Sequence, residues 1–296
     1  MLDSRKIPMN GVVYVNGKIA SASTATVPVF DHGFLYGEGV YETLRTYARQ
    51  PFLFAEHTAR LRRSAEMIAL PVPMTDQALR EAVDMTAAAC AGDELYVRIL
   101  LTRGVGDLSY SLAATPAPTL VIIVKPLTPF PERTYFEGVR VSMVGIRRNH
   151  PHALNPLIKS NNLLNNALAM QEAYRQGADE ALMQNQAGFV VECSQSNFFV
   201  VKNGQLLTPP LSAGLLPGIT RQFVMELAAA EGITALGAPL TPADVLAADE
   251  AFLTSTTREI TPVTSIDETR VGDAKPGPVT MRLMKAFRAR TQGLRT

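Results

Sequence analysis

The chain is poor in cysteine: only Cys90 and Cys193 occur among its 296 residues. Two cysteines build neither a disulfide framework nor a zinc set. An excess of either charge is also missing, since 28 basic and 27 acidic side chains leave a formal net charge of +1. Without a basic cluster, no nucleic-acid partner is expected. No apolar run approaches the ~20 residues that span a bilayer, so no membrane partner is expected either. The opening Met1-Leu-Asp-Ser-Arg-Lys6 has no apolar core of the signal-peptide kind. Internal repeats and low-complexity segments are absent. What remains is a cytoplasmic globular protein, long enough for two domains.

The motifs that are present arrive in a definite order. Residues 11–20 read as a hairpin about an Asn16-Gly17 turn. From Tyr41 the period is two, so Tyr41, Thr43, Arg45 and Tyr47 share a strand face that could line a site. Residues 56–69 form a helix with Leu61, Ala65 and Ile68 as its apolar stripe. Helical phasing turns Arg63 away from that stripe and sets Arg60 beside it, on the flank of His57, Ser64 and Met67. Residues 95–102 alternate cleanly: Leu95, Val97, Ile99 and Leu101 face one way, Tyr96, Arg98 and Leu100 the other. A tyrosine and an arginine on one face could bind a carboxylate or form a cross-strand ion pair. Residues 103–110 form a glycine-punctuated loop, and Leu120 to Val124 a buried strand. Three prolines in residues 125–133 mark a stiff linker and the domain boundary.

Past the linker, His150 and His152 lack the carboxylate or cysteine neighbours of a metal site. Lys159 then joins the apolar pair Leu157-Ile158 to a helix. Ser160 and Asn161 are N-cap types, Leu163, Leu164, Ala167, Leu168, Met170 and Tyr174 recur at helical spacing, and Gly177 stops the run. Asn161, Asn162, Asn165 and Asn166 are poor helix formers, which points to a need for side-chain amides there. A lysine beside apolar surface suits Schiff-base chemistry. Two hairpins follow, about residues 185–188 and 203–204. The first has a second strand ending in Glu192. Gly218-Ile219-Thr220 opens an apolar-periodic helix, which makes either a plain N-cap or an anion site. Residues 252–263 read as a strand ending in the hydroxyls Ser255, Thr256 and Thr257.

Lys159 with its helix, followed by the Glu192 strand, resembles the signature of the class IV aminotransferases. These are the fold-type IV pyridoxal-phosphate enzymes: branched-chain and D-amino-acid aminotransferases and aminodeoxychorismate lyase. The resemblance runs through nearly the whole chain. It implies an α/β (α+β) fold with a small N-terminal domain over residues 1–125 and a linker over 126–135. A larger barrel-like domain over 136–296 would follow, with pyridoxal 5'-phosphate between the two domains. It further implies that Lys159 carries the cofactor covalently and that Glu192 pairs with its pyridine nitrogen. Arg60, in a Glu-His-x-x-Arg-Leu setting, would hold the phosphate together with Leu216, Gly218, Ile219, Thr220, Ser255 and Thr256. Tyr36, Tyr41, Arg45, Tyr96, Arg98 and Thr257 would contact substrate. The family makes homodimers, so at least a dimer is expected.

Tyr96-x-Arg98 is similar to the branched-chain subfamily, which implies transamination between leucine, isoleucine or valine and a 2-oxo acid. Leu164 and Thr43 depart from that subfamily's pattern, and Leu164 and the run 255–257 look more like the D-specific branch. The alternatives are therefore a D-amino-acid aminotransferase, a lyase that eliminates pyruvate, and a non-catalytic phosphate-ligand protein.

Overall fold

The computed structural model describes residues 10–294. The opening Met1–Lys6, read above for a signal peptide, lies outside them. The chain forms two compact units. Of the described residues, the first holds 10–128 and, unexpectedly, Lys159–Asn162; the second holds the others. The break after Thr128 falls within the expected linker.

The first unit is a six-stranded sheet with helices. Strands β1 (Val12–Val15) and β2 (Lys18–Ser21) make the expected hairpin, with Asn16 and Gly17 both at positive φ. That pair of left-handed residues is what a two-residue hairpin turn demands. A short helix α1 (His32–Leu35) leads to β3 (Gly39–Tyr47) and the two-residue β4 (Gln50–Pro51). Helices α2 (Phe54–Glu66) and α3 (Asp76–Ala88) follow, then β5 (Leu95–Thr102) and β6 (Thr119–Pro126). The strand order is β2-β1-β6-β5-β3-β4. Leu95, Val97, Ile99 and Leu101 of β5 are buried, while Tyr96, Arg98 and Leu100 are half-buried on the other face, as the alternation requires.

β3 has a free edge where β4 does not reach. Residues 159–161 fill it: the Tyr41 amide donates to the Lys159 carbonyl and the Asn161 amide to the Gly39 carbonyl, both at 2.9 Å. This pairing draws the segment into the first unit, although sequence reasoning assigned it to the second. It also corrects the helix start. Extended backbone cannot serve as a helix turn, so the helix expected here begins at Leu164, and Ser160 accepts from Asn162 instead of capping it.

In the second unit, α4 (Arg133–Glu137), β7 (Val139–Met143) and α5 (Leu164–Arg175) precede β8 (Glu180–Gln184), β9 (Val190–Cys193), β10 (Asn197–Lys202) and β11 (Gln205–Thr208). Then come α6 (Ile219–Ala230), β12 (Ala235–Gly237), α7 (Pro242–Leu246), β13 (Glu250–Ser255), β14 (Glu259–Ile266), β15 (Thr269–Arg270) and α8 (Pro278–Gln292). The sheet runs β12-β11-β10-β13-β14-β7-β8-β9, with β15 on β14. β9 closes one end of that path, yet only residues 194–196 join it to β10. So short a connection requires the sheet to curl back on itself, which gives this unit its barrel-like form. Residues 252–263, expected as one strand, are parts of two antiparallel strands with a turn between them.

Candidate active site

The expected site residues fall into two groups, one in each unit. In the first unit, β3 alternates its side chains, so Tyr41 and Glu42 point to opposite faces of the sheet. On the Tyr41 face, the Arg98 guanidinium lies 4.1 Å from the ring centroid of Tyr41, and Lys159 Nζ lies 4.4 Å from the same centroid. Two cations thus crowd one aromatic ring. Nε of Arg98 is buried and makes no hydrogen bond. A buried, unmatched guanidinium donor that shares an aromatic ring with a second cation is a demand for an anion.

Tyr36 stands apart from that cluster, with its ring 4.9 Å from His32 and 5.1 Å from Tyr110. Arg45 is committed elsewhere: it reaches Glu94 at 3.5 Å and stacks over Tyr47 at 4.3 Å. The Tyr96 ring takes Lys125, whose Nζ is 5.3 Å from its centroid. Of the six substrate-contact residues expected, Tyr41 and Arg98 are joined to Lys159 through the Tyr41 ring.

On the Glu42 face, α2 packs His57, Arg60 and Ser64 inward, while Arg63 is exposed, as the helical phasing requires. Arg60 donates to Glu42 twice, through Nε at 2.7 Å and Nη2 at 2.8 Å, and His57 Nδ1 lies 2.7 Å from the same carboxylate. Sequence reasoning missed this triad. Its only signal was that residue 42 has the opposite parity to Tyr41, on a face that a helix would cover.

In the second unit, the Glu192 carboxylate receives Arg148 Nε at 2.7 Å, the Leu216 amide at 3.1 Å and Asn197 Nδ2 at 3.2 Å. Asn197 also donates to the Leu216 carbonyl at 3.0 Å, and its Oδ1 packs against Gly218 so closely that a Cβ there would lie 1.8 Å away. Glycine is thus enforced where α6 begins. Gly218 is the N-cap, so the free amides of the first turn, including Ile219 and Thr220, have no side-chain cap. Those are the groups that cradle a phosphate. Asn197 pairs in register with Thr254, so half-buried Ser255, which ends β13, and the turn residues Thr256 and Thr257 lie at the same end of the sheet. Buried Thr254 Oγ1 is without a partner there.

Arg148 and Asn197 were not foreseen, since neither lies in a periodic pattern that marks it. The asparagines near Lys159 do use their amides. Asn165 bridges the Arg147 carbonyl and the Asn149 amide, and Asn166 donates to the Ser194 carbonyl. A second buried carboxylate, Glu180, is held by Arg258 at 2.9 Å and by Ser194.

The chain matches the family described as amino-transferase class IV over residues 39–266. A Methanocaldococcus jannaschii protein, provisionally named a branched-chain-amino-acid aminotransferase, is 40% identical over 93% of this chain and 95% of its own length. The D-alanine aminotransferase of Listeria innocua is 36% identical, again over 93% of this chain and 94% of its own. Among solved structures, the branched-chain amino acid aminotransferase of Escherichia coli superposes with a TM-score of 0.91 at 30% identity, covering 95% of this chain and 94% of that one. The T.th. branched-chain amino acid aminotransferase with pyridoxamine 5'-phosphate gives 0.91 at 28% identity, covering 96% and 95%.

Proposed function

Because the chain belongs to the class IV aminotransferases, we propose that it moves an amino group between a small apolar L-amino acid and a 2-oxo acid. The donor would be of the leucine, isoleucine or valine kind, and 2-oxoglutarate is a fitting acceptor. One observation carries this reading: Lys159 and Arg98 flank Tyr41, and Arg98 keeps a buried donor without a partner. An amine nucleophile beside an unmatched guanidinium suits a substrate that bears an α-carboxylate.

The cofactor proposed is pyridoxal 5'-phosphate, attached to Lys159. The residues present fit it: an amine, a strongly anchored carboxylate in Glu192, and an uncapped helix start where Asn197 enforces glycine. When bound, the cofactor supplies an electron-withdrawing ring that stabilises charge developing at the substrate Cα. Glu192 would keep a proton on the pyridine nitrogen, its own orientation fixed by Arg148, Asn197 and the Leu216 amide. Arg60, locked by Glu42, would bind the phosphate with the amides of Ile219 and Thr220 and the hydroxyls of Ser255 and Thr256. Lys159 Nζ, as a free amine, would move the proton at the substrate Cα. Arg98 would orient the substrate carboxylate.

A homodimer accompanies this reading. Val29, Phe30, Phe34, Leu108, Tyr110 and Leu112 of the first unit are each more than half exposed, an apolar patch of the kind that associates. Two buried free thiols suit the cytoplasm. A second reading, transfer from a D-amino acid, draws on the Listeria relative and on Leu164. Initial rates with L-leucine and D-alanine, each with 2-oxoglutarate, separate the two. L-leucine should turn over faster, and the reverse order would reassign the donor.

A further inference from the structure

The face of α2 that meets β3 carries three buried polar side chains in helical register: His57, Arg60 and Ser64. Two of them serve Glu42. The third does something else. Ser64 Oγ, on a residue only 1% exposed, accepts the backbone N–H of Lys159 at 3.1 Å.

Lys159 lies in neither helix nor strand, so its main chain needs other restraints. Its carbonyl is tied to the Tyr41 amide, and the Asn161 amide to the Gly39 carbonyl. Both are backbone bonds, which any residue type could make. The bond from Ser64 is different, because it depends on one side chain 95 positions away. A serine inside a helix ordinarily turns its hydroxyl back to a nearby carbonyl of the same helix. Ser64 instead offers its oxygen outward to the reactive segment.

We propose that Ser64 is a positioning residue for Lys159. Pinning the N–H fixes the direction in which the side chain leaves the main chain, and so where Nζ is carried over the Tyr41 ring. At the end of a four-carbon stem, a small rotation of the backbone becomes a large displacement of the amine. Misplacement by about 1 Å can cost a reaction on the order of a hundredfold. Ser64 touches no reacting atom and acts only through Lys159. The inference rests on the reading of Lys159 as the attachment residue.

The test compares cofactor-free wild type, Ser64→Ala and Thr58→Val. Thr58 is the matched control, since it is equally buried on α2 and its hydroxyl makes no hydrogen bond. Pyridoxal phosphate is added, attachment is followed by absorbance, and borohydride trapping with peptide mass analysis locates it. Ser64→Ala should attach at Lys159 about tenfold more slowly and lose about tenfold in kcat, with KM for the amino acid little changed. Thr58→Val should match wild type, and circular dichroism should show all three folded. Should the alanine variant not fold, Ser64→Cys, with a weaker acceptor of nearly equal size, should still attach more slowly than wild type. Attachment by the Ser64 variants at the wild-type rate, or equal slowing in Thr58→Val, overturns the proposal. Trapping of wild type at a lysine other than Lys159 would instead sink the functional reading on which it stands.

Discussion

Glu42 and His57 show how one buried pair sets a pH limit. Burial alone would lift the Glu42 carboxyl, but Arg60 and then His57 outweigh it and hold the group well below the usual carboxylate range. His57 moves the other way: burial pushes its imidazole below the ordinary 6.5, against the pull of Glu42. The neutral ring then donates its Nδ1 proton to the carboxylate. An unfolded chain takes up a proton near 6.5 that the folded protein resists, so stability is full above that pH and declines as pH falls through it. The share from Glu42 is lost only below the ordinary glutamate value of 4.5. Thermal midpoints between pH 8 and pH 5 should therefore fall in wild type and stay flatter in His57→Gln. Glu42→Gln would leave Arg60 buried opposite a neutral amide. About 3–5 kcal/mol of stability should be lost, read from urea unfolding. Glu192→Gln nearly keeps shape while removing charge, so the cofactor should still attach while kcat drops by orders of magnitude. An unchanged kcat would mean that the carboxylate serves only its protein partners Arg148, Asn197 and the Leu216 amide.

At the scale of elements, the turn that follows α2 is held by a residue from a distant strand end. Arg103 donates to the Ile68 carbonyl at 2.5 Å and the Ala69 carbonyl at 3.2 Å, while its Nε holds Glu38 at 3.0 Å. Arg103→Met should cost roughly 1–3 kcal/mol and speed proteolysis within residues 104–113, checked by limited digestion. β5 was legible because its strict alternation buries one face, and the β1–β2 hairpin because Asn16-Gly17 marks its turn. α5 was less so. Of its expected apolar stripe Met170 is buried, but Leu164 is 66%, Leu168 41% and Tyr174 64% exposed, and Ala169 and Ala173 are buried in their place. The amides of Asn165 and Asn166 anchor it to neighbouring backbone, and that anchoring sets its rotation. The turn between β13 and β14 was hidden for another reason. It has neither glycine nor proline, and its left-handed residue is Glu259 at φ 56°.

For the whole molecule, the apolar patch gives a direct expectation. Phe34 within it is 73% exposed, so Phe34→Lys should shift the protein to monomers in light scattering while each chain stays folded. The division after Thr128 lies in the proline-rich stretch that composition marks, and turn signals marked the hairpin that carries Glu192. The membership of Lys159 in the first unit was not legible, because edge pairing between remote segments leaves no local pattern. That return has a consequence for biosynthesis. Once residue 128 has left the ribosome, all six strands of the first sheet exist, yet the amide of Tyr41 and the carbonyl of Gly39 still face an open edge. They stay open until Asn161 emerges, through the whole synthesis of the intervening stretch. An unfilled edge recruits whatever strand is nearest, including those of neighbouring nascent chains. A truncated product ending near residue 128 should thus be the form that chaperones hold longest. The segment that carries Lys159 is thus also the cap that makes the first sheet safe to release.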